Sequence, residues 1–179
     1  MPTATRLMTV EEFREQVQDP PGERAELHHG EVVTVARPKY RHWKIQNDLA
    51  VALGMRLQAR GRCGTEFSFR PLPEFELWTA DIAFIAHERL ELISLDDNLH
   101  GVPELVVEVL SPSNTVLEMN SREEMCLKNG AREFWVVDPD LRSIRVTKPD
   151  GRAVTYRQGG ELPLDAFGGE PLPVSEIFP

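Results

Sequence analysis

Few cysteines, a shortage of positive charge and no long apolar run characterise this 179-residue sequence. No apolar run approaches the ~20 residues of a membrane-spanning helix, and the N-terminus lacks the apolar segment of a signal peptide, so we expect a cytoplasmic protein with no membrane partner. The two cysteines, Cys63 and Cys126, lack zinc-site spacing, which predicts reduced thiols. The formal net charge of −9 argues against non-specific coating of duplex DNA, because neutralising phosphates requires many lysines and arginines.

An almost wholly apolar segment, ELVVEVL at residues 104–110, contains the carboxylate of Glu108. The apolar residues around Glu108 predict a strand covered on both faces, where a carboxylate is costly to bury unless it is paired, hydrogen-bonded or bound to a metal. A second predicted strand, at residues 79–85, has Asp81 near its head. Together the two carboxylates predict a Mg²⁺ site made of oxygen ligands. The alternative is that Asp81 caps its strand and Glu108 pairs with an arginine.

The pattern predicts one α/β domain over residues 1–179, with a mixed β-sheet flanked by helices. A helix that begins at Thr115 and ends near Asn129 lies between two apolar strands, residues 104–110 and 133–137. A helix between two buried strands predicts a crossover that makes the strands parallel.

The N-terminal part of the chain predicts a helix, a β-hairpin and a second, longer helix. The predicted elements are a helix from Thr9 to about Gln18, hairpin strands at residues 24–28 and 31–36, a helix at residues 41–60, and strands at residues 65–70 and 79–85. Gly61 and Gly64 are expected to mark the end of the long helix. Ser143–Thr147 and Ala153–Arg157 predict a second hairpin.

Several short motifs occur in a fixed order along nearly the whole chain. They are MTVEEF at residues 8–13, EL at 26–27, GE at 30–31, HxxI at 42–45, Asp81, EVLSPSNT at 108–115 and GAREFWVVDP at 130–139. In this order they resemble the PD-(D/E)XK nuclease superfamily, and most of all its Uma-type restriction endonuclease branch. The resemblance implies a restriction-endonuclease-like core that hydrolyses DNA phosphodiester bonds with Mg²⁺ or Mn²⁺.

The resemblance also implies metal ligands and catalytic residues. Asp81, Glu108 and the backbone carbonyl of Val109 would bind the metal ion, which polarises the phosphodiester and activates water. The family's Pro-Asp is Ala80-Asp81 here, which leaves the aspartate in position.

The lysine of the family is replaced in this chain. Leu110 stands beside the glutamate, and the position on the following helix from which this branch supplies the lysine is Arg122. An arginine keeps a positive charge for a phosphate, but it cannot lose a proton to act as a base. The alternative for Arg122 is a surface pair with Glu118 one helical turn away.

Two further residues are predicted to be catalytic. By the resemblance Glu31 on the hairpin lies near the acidic cluster, and His42 at the start of the long helix would contact the phosphate or orient water. A solvent-facing hairpin residue is the alternative for Glu31. A neutral histidine that hydrogen-bonds locally is the alternative for His42, because a helix N-terminus disfavours a positive charge.

The densest basic and aromatic cluster of this acidic chain surrounds His42. Its cations are Arg37, Lys39, Arg41 and Lys44, and its other rings are Tyr40 and Trp43. Basic charge follows a nucleic-acid backbone and aromatic rings stack on bases, so these residues are predicted to bind nucleic acid. The alternative is a loop and helix start whose aromatic residues anchor the core.

The sequence therefore predicts a Mg²⁺-dependent endonuclease that has DNA as its partner and forms a dimer. The alternative hypotheses are a catalytically inactive nuclease fold that binds nucleic acid, and a homo-oligomeric assembly module whose exposed strands, for example those of the hairpin at residues 143–157, pair across an interface.

Overall fold

A computed structural model describes residues 6–178. The α-helices are α1 (Val10–Gln16), α2 (Tyr40–Leu57), α3 (His87–Leu90) and α4 (Val116–Lys128). The strands are β1 (Glu23–His28), β2 (Glu31–Ala36), β3 (Gly61–Arg70), β4 (Trp78–Ala86), β5 (Leu99–His100), β6 (Leu105–Val109), β7 (Glu133–Asp138), β8 (Ser143–Thr147), β9 (Ala153–Arg157), β10 (Glu161–Leu162) and β11 (Leu172–Pro173). None of the described helices is long and apolar enough to cross a bilayer.

Seven strands form the central sheet, in the order β5-β3-β4-β6-β7-β8-β9. β6 and β7 are parallel because α4 crosses over between them, and β3 and β5 are also parallel. The other neighbours in this sheet are antiparallel. The predicted α/β class with a mixed sheet, flanking helices and an N-terminal helix and hairpin is confirmed.

Two apolar cores cover the two faces of the central sheet. α2 packs on one face through Leu49, Leu53 and Leu57, which are fully buried and recur at helical spacing. Burying one such leucine side chain contributes about 1.5–3 kcal/mol. α4 lies over the other face, where Cys126 is buried beside Phe134 of β7. The two helices therefore approach the sheet from opposite sides.

The N-terminal helix and the hairpin form a third cluster at the edge of the fold. Thr9 begins α1 with a capping box, in which its hydroxyl accepts from the N–H of Glu12 and the Glu12 carboxylate accepts from the N–H of Thr9. Val10 and Phe13 pack on Leu27 of β1. Gly30 has φ 72° at the hairpin turn, and a Cβ there would lie 2.6 Å from Cβ of Leu7.

The positions of Gly61 and Gly64 correct the sequence prediction. Both glycines lie inside β3 and not in a turn after the long helix. A Cβ at Gly61 would lie 2.1 Å from the carbonyl oxygen of Ile85, so glycine there permits the close approach of β3 and β4. Nothing lies within 4 Å of a Cβ at Gly64.

Candidate active site

Asp81 and Glu108 lie at the same point of two neighbouring strands. Ile82 of β4 is opposite Val107 of β6, and continuing this antiparallel register brings Asp81 opposite Glu108. The backbone N–H of Val109 donates a 2.7 Å hydrogen bond to Oδ2 of Asp81. The two strands therefore bring together the two predicted carboxylates and the peptide group of Val109.

The side chains of β3 and β4 switch from one side of the sheet to the other at this same point. Cys63 and its partner Phe84 pack on the α2 side, whereas Phe67 and its partner Ala80 pack on the α4 side. Glu66, midway along β3, has φ 52°, which is unusual for a glutamate and indicates local backbone strain. We call this change of face at Glu66 and Asp81 the face reversal.

Arg122 extends from α4 into the acidic cluster. Its Nε donates a 2.7 Å hydrogen bond to Oε1 of Glu108, and Nη1 lies 3.2 Å from Oε2 of Glu26. Nη2 donates to the carbonyl of Thr79, and the guanidinium lies 5.1 Å from the centroid of the Trp78 ring. The predicted surface pair with Glu118 does not form, because Glu118 caps α4 through Thr115.

Glu26 of β1 is the carboxylate of this network that the sequence analysis did not select. Its side chain is only 1% exposed and accepts hydrogen bonds from Arg24 (2.9 Å), from the N–H of Thr79 (3.2 Å) and from Nε2 of His28 (2.8 Å). Burial alone would raise the pKa of Glu26, but the charge of Arg122, the His28 hydrogen bond and the charge of Arg24 lower it to about 2. Glu26 is therefore an ionised partner of Arg122.

Glu108 has the opposite electrostatic balance. Burial raises the pKa of Glu108, repulsion from Asp81 and Glu26 adds to the increase, and the attraction of Arg122 opposes it, with a resulting pKa of about 8. The ionised form of Glu108 is therefore disfavoured by burial and by the neighbouring carboxylates. A further cation would favour the ionised form.

His42 of α2 contacts two of the predicted metal ligands. Its Nε2 lies 3.0 Å from the carbonyl oxygen of Val109 and 3.1 Å from Oδ2 of Asp81. Burial would lower the pKa of His42, but the hydrogen bond and charge of Asp81 raise it, helped by the Val109 carbonyl and by Glu108. The imidazole therefore bridges the Asp81 carboxylate and the Val109 carbonyl as a hydrogen-bond donor.

The predicted ligand set fits Mg²⁺ in its chemistry. Asp81 and Glu108 supply carboxylate oxygens and Val109 supplies a carbonyl oxygen, the donors that Mg²⁺ prefers. Among residues 6–178 no group of three or more His, Cys, Asp and Glu side chains is arranged to hold a metal ion. The two carboxylates would therefore share an ion with a backbone oxygen, and the ion would compete with His42 for Asp81 and Val109.

Gln46 links the site to the strained strand. Its Nε2 lies 2.7 Å from both the carbonyl oxygen of Asp81 and Oε1 of Glu66. Arg24 donates to the other oxygen of Glu66. Gln46 and Glu66 carry no motif signal in the sequence. Glu26 does belong to one of the quoted motifs, the EL of residues 26–27, and that motif is the signal that could have identified it.

Glu31 lies outside this network. It is exposed at the start of β2, and the hydrogen bonds of the described network do not involve it. The hairpin instead contributes Glu26. The role of Glu31 at the acidic cluster stays a prediction.

The predicted nucleic-acid-binding cations lie on the surface, and three of the four make ion pairs. Arg37 pairs with Asp19 at 2.7 Å, Arg41 with Asp140 at 2.7 Å and Lys44 with Asp48 at 2.5 Å, while Lys39 is exposed immediately before α2.

The two aromatic residues beside these cations do not anchor the core. The side chains of Tyr40 and Trp43 are 74% and 51% exposed, and their rings stack with centroids 6.0 Å apart. A cavity of about 270 Å³ lies beside them, lined in part by Tyr40, Arg41 and Lys44. The exposed rings leave the nucleic-acid-binding interpretation as a prediction and remove the core-anchor alternative.

The order of the central sheet, together with acidic residues on two of its neighbouring strands, defines a restriction-endonuclease-like fold. The chain belongs to the Uma2 family, described as "Putative restriction endonuclease", whose pattern matches residues 10–175. A similar solved structure is a "putative nuclease belonging to DUF820" from Anabaena variabilis, with a TM-score of 0.79 and 19% identity over 96% of this chain and 97% of that chain. At this identity the likeness supports the fold alone. None of the curated proteins matches the sequence.

The family description indicates a nuclease. The resemblance to the Uma-type branch is thereby confirmed, and so is the restriction-endonuclease-like fold class. The metal ion, the DNA substrate and the oligomeric state belong to the proposals below.

Proposed function

We propose that this protein hydrolyses phosphodiester bonds in DNA with Mg²⁺ or Mn²⁺ held by Asp81, Glu108 and the carbonyl oxygen of Val109. The observation that carries the proposal is the 2.7 Å hydrogen bond between Val109 and Asp81, which brings the oxygen ligands of β4 and β6 to one point. Burial and the repulsion of Asp81 and Glu26 raise the pKa of Glu108, and a cation bound between the carboxylates would stabilise their ionised forms.

The bound ion would polarise the phosphodiester and lower the pKa of a bound water. Arg122 orients Glu108 through Nε and adds a fixed positive charge that offsets charge developing on the phosphate. An arginine remains protonated, so it does not take the proton of the attacking water. His42 holds a proton at Nε2 beside Asp81 and Val109, and it must yield these oxygens when the ion enters.

A second candidate function is nucleic-acid binding without turnover. The observation that favours it is the number of partners already held by Arg122: Glu108, Glu26, the carbonyl of Thr79 and the ring of Trp78. A guanidinium with these contacts has few donors left for a phosphate. In this candidate function the exposed Tyr40 and Trp43 rings still bind bases.

The proposal extends to partners and location. DNA is the substrate, contacted by the cluster of Arg37, Lys39, Arg41 and Lys44, and the protein works as a dimer in the cytoplasm.

The test is cleavage of supercoiled and single-stranded DNA with Mg²⁺ or Mn²⁺. The variants are Asp81→Asn and Arg122→Lys, with Asp150→Asn on the exposed β8–β9 turn as the matched control. Cleavage by the wild type and the control, lost in Asp81→Asn, supports hydrolysis. Binding without cleavage in every variant, Arg122→Lys included, supports the second function and contradicts the first.

A further inference from the structure

Strand β2 is the outer strand of the hairpin, and one of its edges is open. β1 is its only strand partner among residues 6–178. Its valines are unusually exposed for an apolar strand, with 43% of Val32 and 38% of Val33 accessible. An exposed edge strand rich in β-branched residues is a template for pairing with another chain.

The hydrogen bonds of the hairpin identify the backbone groups on the open edge. The N–H of Arg37 donates to the carbonyl of Gly22 at 3.2 Å, in register with the β1–β2 ladder. Hydrogen-bonded pairs alternate along an antiparallel ladder, so the peptide groups of Val33 and Val35 face β1. Those of Val32, Thr34 and Ala36 face away from it.

We infer that β2 pairs antiparallel with β2 of a second copy of this chain, about a two-fold axis through Thr34. This register joins the outward peptide groups of Thr34 to those of the same residue in the other copy. It also joins Val32 to Ala36 across the axis, so the outward groups of all three residues are used on both strands. The result is a four-stranded sheet made from two hairpins.

Charge complementarity selects this register. With the axis at Thr34, Glu31 of one copy lies opposite Arg37 of the other, once at each end of the paired strands. Arg37 donates to Asp19 through one nitrogen only, and a guanidinium has five donors, so a second carboxylate can be accommodated. Moving the axis by one residue in either direction separates Glu31 from Arg37.

The apolar side chains on the face of β2 that carries Glu31 and Arg37 also fit this register. Val33 of one copy lies opposite Val35 of the other in a pair without backbone hydrogen bonds, where side chains approach most closely. The two-fold axis generates this pair twice, which makes a four-valine cluster between the two Glu31–Arg37 contacts. The exposed carboxylate of Glu31 thereby acquires a structural role outside the acidic cluster.

The other exposed edge strand is a weaker candidate. β9 is the last strand of the central sheet and is largely exposed. Pairing two copies about Thr155 would oppose Arg157 to Ala153, which gives no charge pair. β9 therefore supplies the matched control.

The first test uses two separate threonine-to-proline variants, each of which removes one outward N–H, one from the edge of β2 and the other from the edge of β9. Thr34→Pro removes an N–H that faces away from β1. Thr155→Pro does the same on β9, because the Lys148–Arg152 hydrogen bond of 3.0 Å sets the alternation there. Sedimentation equilibrium should give a dimer for the wild type and for Thr155→Pro, and a monomer for Thr34→Pro, with folding checked by circular dichroism.

The second test reverses the charge pair and does not depend on proline being tolerated. Glu31→Arg and Arg37→Glu should each weaken the dimer about tenfold or more, because each change alters both symmetric contacts. The double variant should recover most of the affinity. Asp19→Ala removes contacts within one copy only, those with Arg37 and with the N–H of Ala25, and should remain a dimer.

A monomeric wild type at all concentrations overturns the inference. A dimer that survives both Thr34→Pro and the single charge reversals also overturns it, and loss only in Thr155→Pro would assign the interface to β9.

Discussion

Arg122 of α4 donates to Glu108 of β6 at 2.7 Å, so the arginine proposed to act in catalysis is bonded to one of the two proposed metal-binding carboxylates. One helix and one strand are thus joined through a buried ion pair. Removing one partner of such a pair destabilises the fold more than replacing both partners with apolar residues, because the remaining charge stays buried without a counter-charge.

Arg122→Met should destabilise the fold strongly. Methionine keeps an apolar body against Trp78 but leaves the buried, ionised Glu26 without its cation and Glu108 without its hydrogen-bond donor, which costs about 3–5 kcal/mol. The stability of Arg122→Lys should lie between that of Arg122→Met and that of the wild type, because an ammonium group cannot reproduce all the contacts of the planar guanidinium. Urea denaturation measures the order, and Arg152→Met on the exposed hairpin should leave the midpoint unchanged. Equal stability of all three Arg122 proteins would contradict the role of the network.

Glu26→Gln should make the protein less sensitive to acid. The pKa of Glu26 is lowered to about 2 in the folded state, below the usual glutamate pKa of 4.5. The ionised carboxylate therefore stabilises the fold fully at pH values above 4.5. This contribution, roughly 3 kcal/mol, is lost as the pH falls from 4.5 through 2. The unfolding free energy of Glu26→Gln should therefore decline less over that window than that of the wild type. The exposed Glu91→Gln variant should follow the wild type.

His42→Ala should bind Mn²⁺ more tightly than the wild type, by about tenfold. Removing the imidazole frees Oδ2 of Asp81 and the Val109 carbonyl, and it takes away a group whose pKa is raised toward the charged form. Isothermal titration calorimetry with Mn²⁺ alone measures the affinity, and Asp81→Asn should abolish binding. Weaker binding by His42→Ala would mean that the imidazole supports the ion.

Trp43→Ala should weaken single-stranded DNA binding with little effect on stability. Its ring is half exposed and stacks on Tyr40, so it is available to a base, and one stacked base is worth about 1–3 kcal/mol. Fluorescence anisotropy with a labelled oligonucleotide measures the change. Met55→Ala, exposed on the same helix, is the control, and equal affinity of the two variants would exclude a base-stacking role.

Gly61→Ala should cost about 3 kcal/mol of stability, whereas Gly64→Ala in the same strand should be tolerated. The added methyl would overlap the Ile85 carbonyl at Gly61 and would meet nothing at Gly64. Thermal unfolding compares the two variants directly. Similar melting temperatures would show that β3 shifts to make room.

The sequence predicted the elements better than it predicted the site. The spacing of Leu49, Leu53 and Leu57 and the cap at Thr9 are local signals, and local signals define helices and hairpins. The convergence of Glu26, Gln46 and Glu66 depends on contacts between residues far apart in the chain. Such contacts leave no periodic trace in one sequence, so the pairing of Glu26 with Arg122 and of Gln46 with Glu66 appears only in three dimensions.

Gly61 is a second case in which the sequence did not identify a contact between distant residues. Glycine after a helical pattern commonly marks a turn, and here it marks two strands in close contact. The residue type was informative about the backbone but not about the neighbour that required it.

The face reversal at Glu66 and Asp81 gives helices on opposite sides of the sheet access to the same few atoms. Opposing residues of an ordinary antiparallel pair point to the same face of the sheet, but here His42 of α2 contacts the Asp81 carboxylate while Arg122 of α4 holds Glu108 on the neighbouring strand. Repacking of the hydrophobic core on either side of the sheet would consequently shift the side chains of the acidic cluster. Substitutions deep in one layer would be expected to alter chemistry that the opposite layer helps to position.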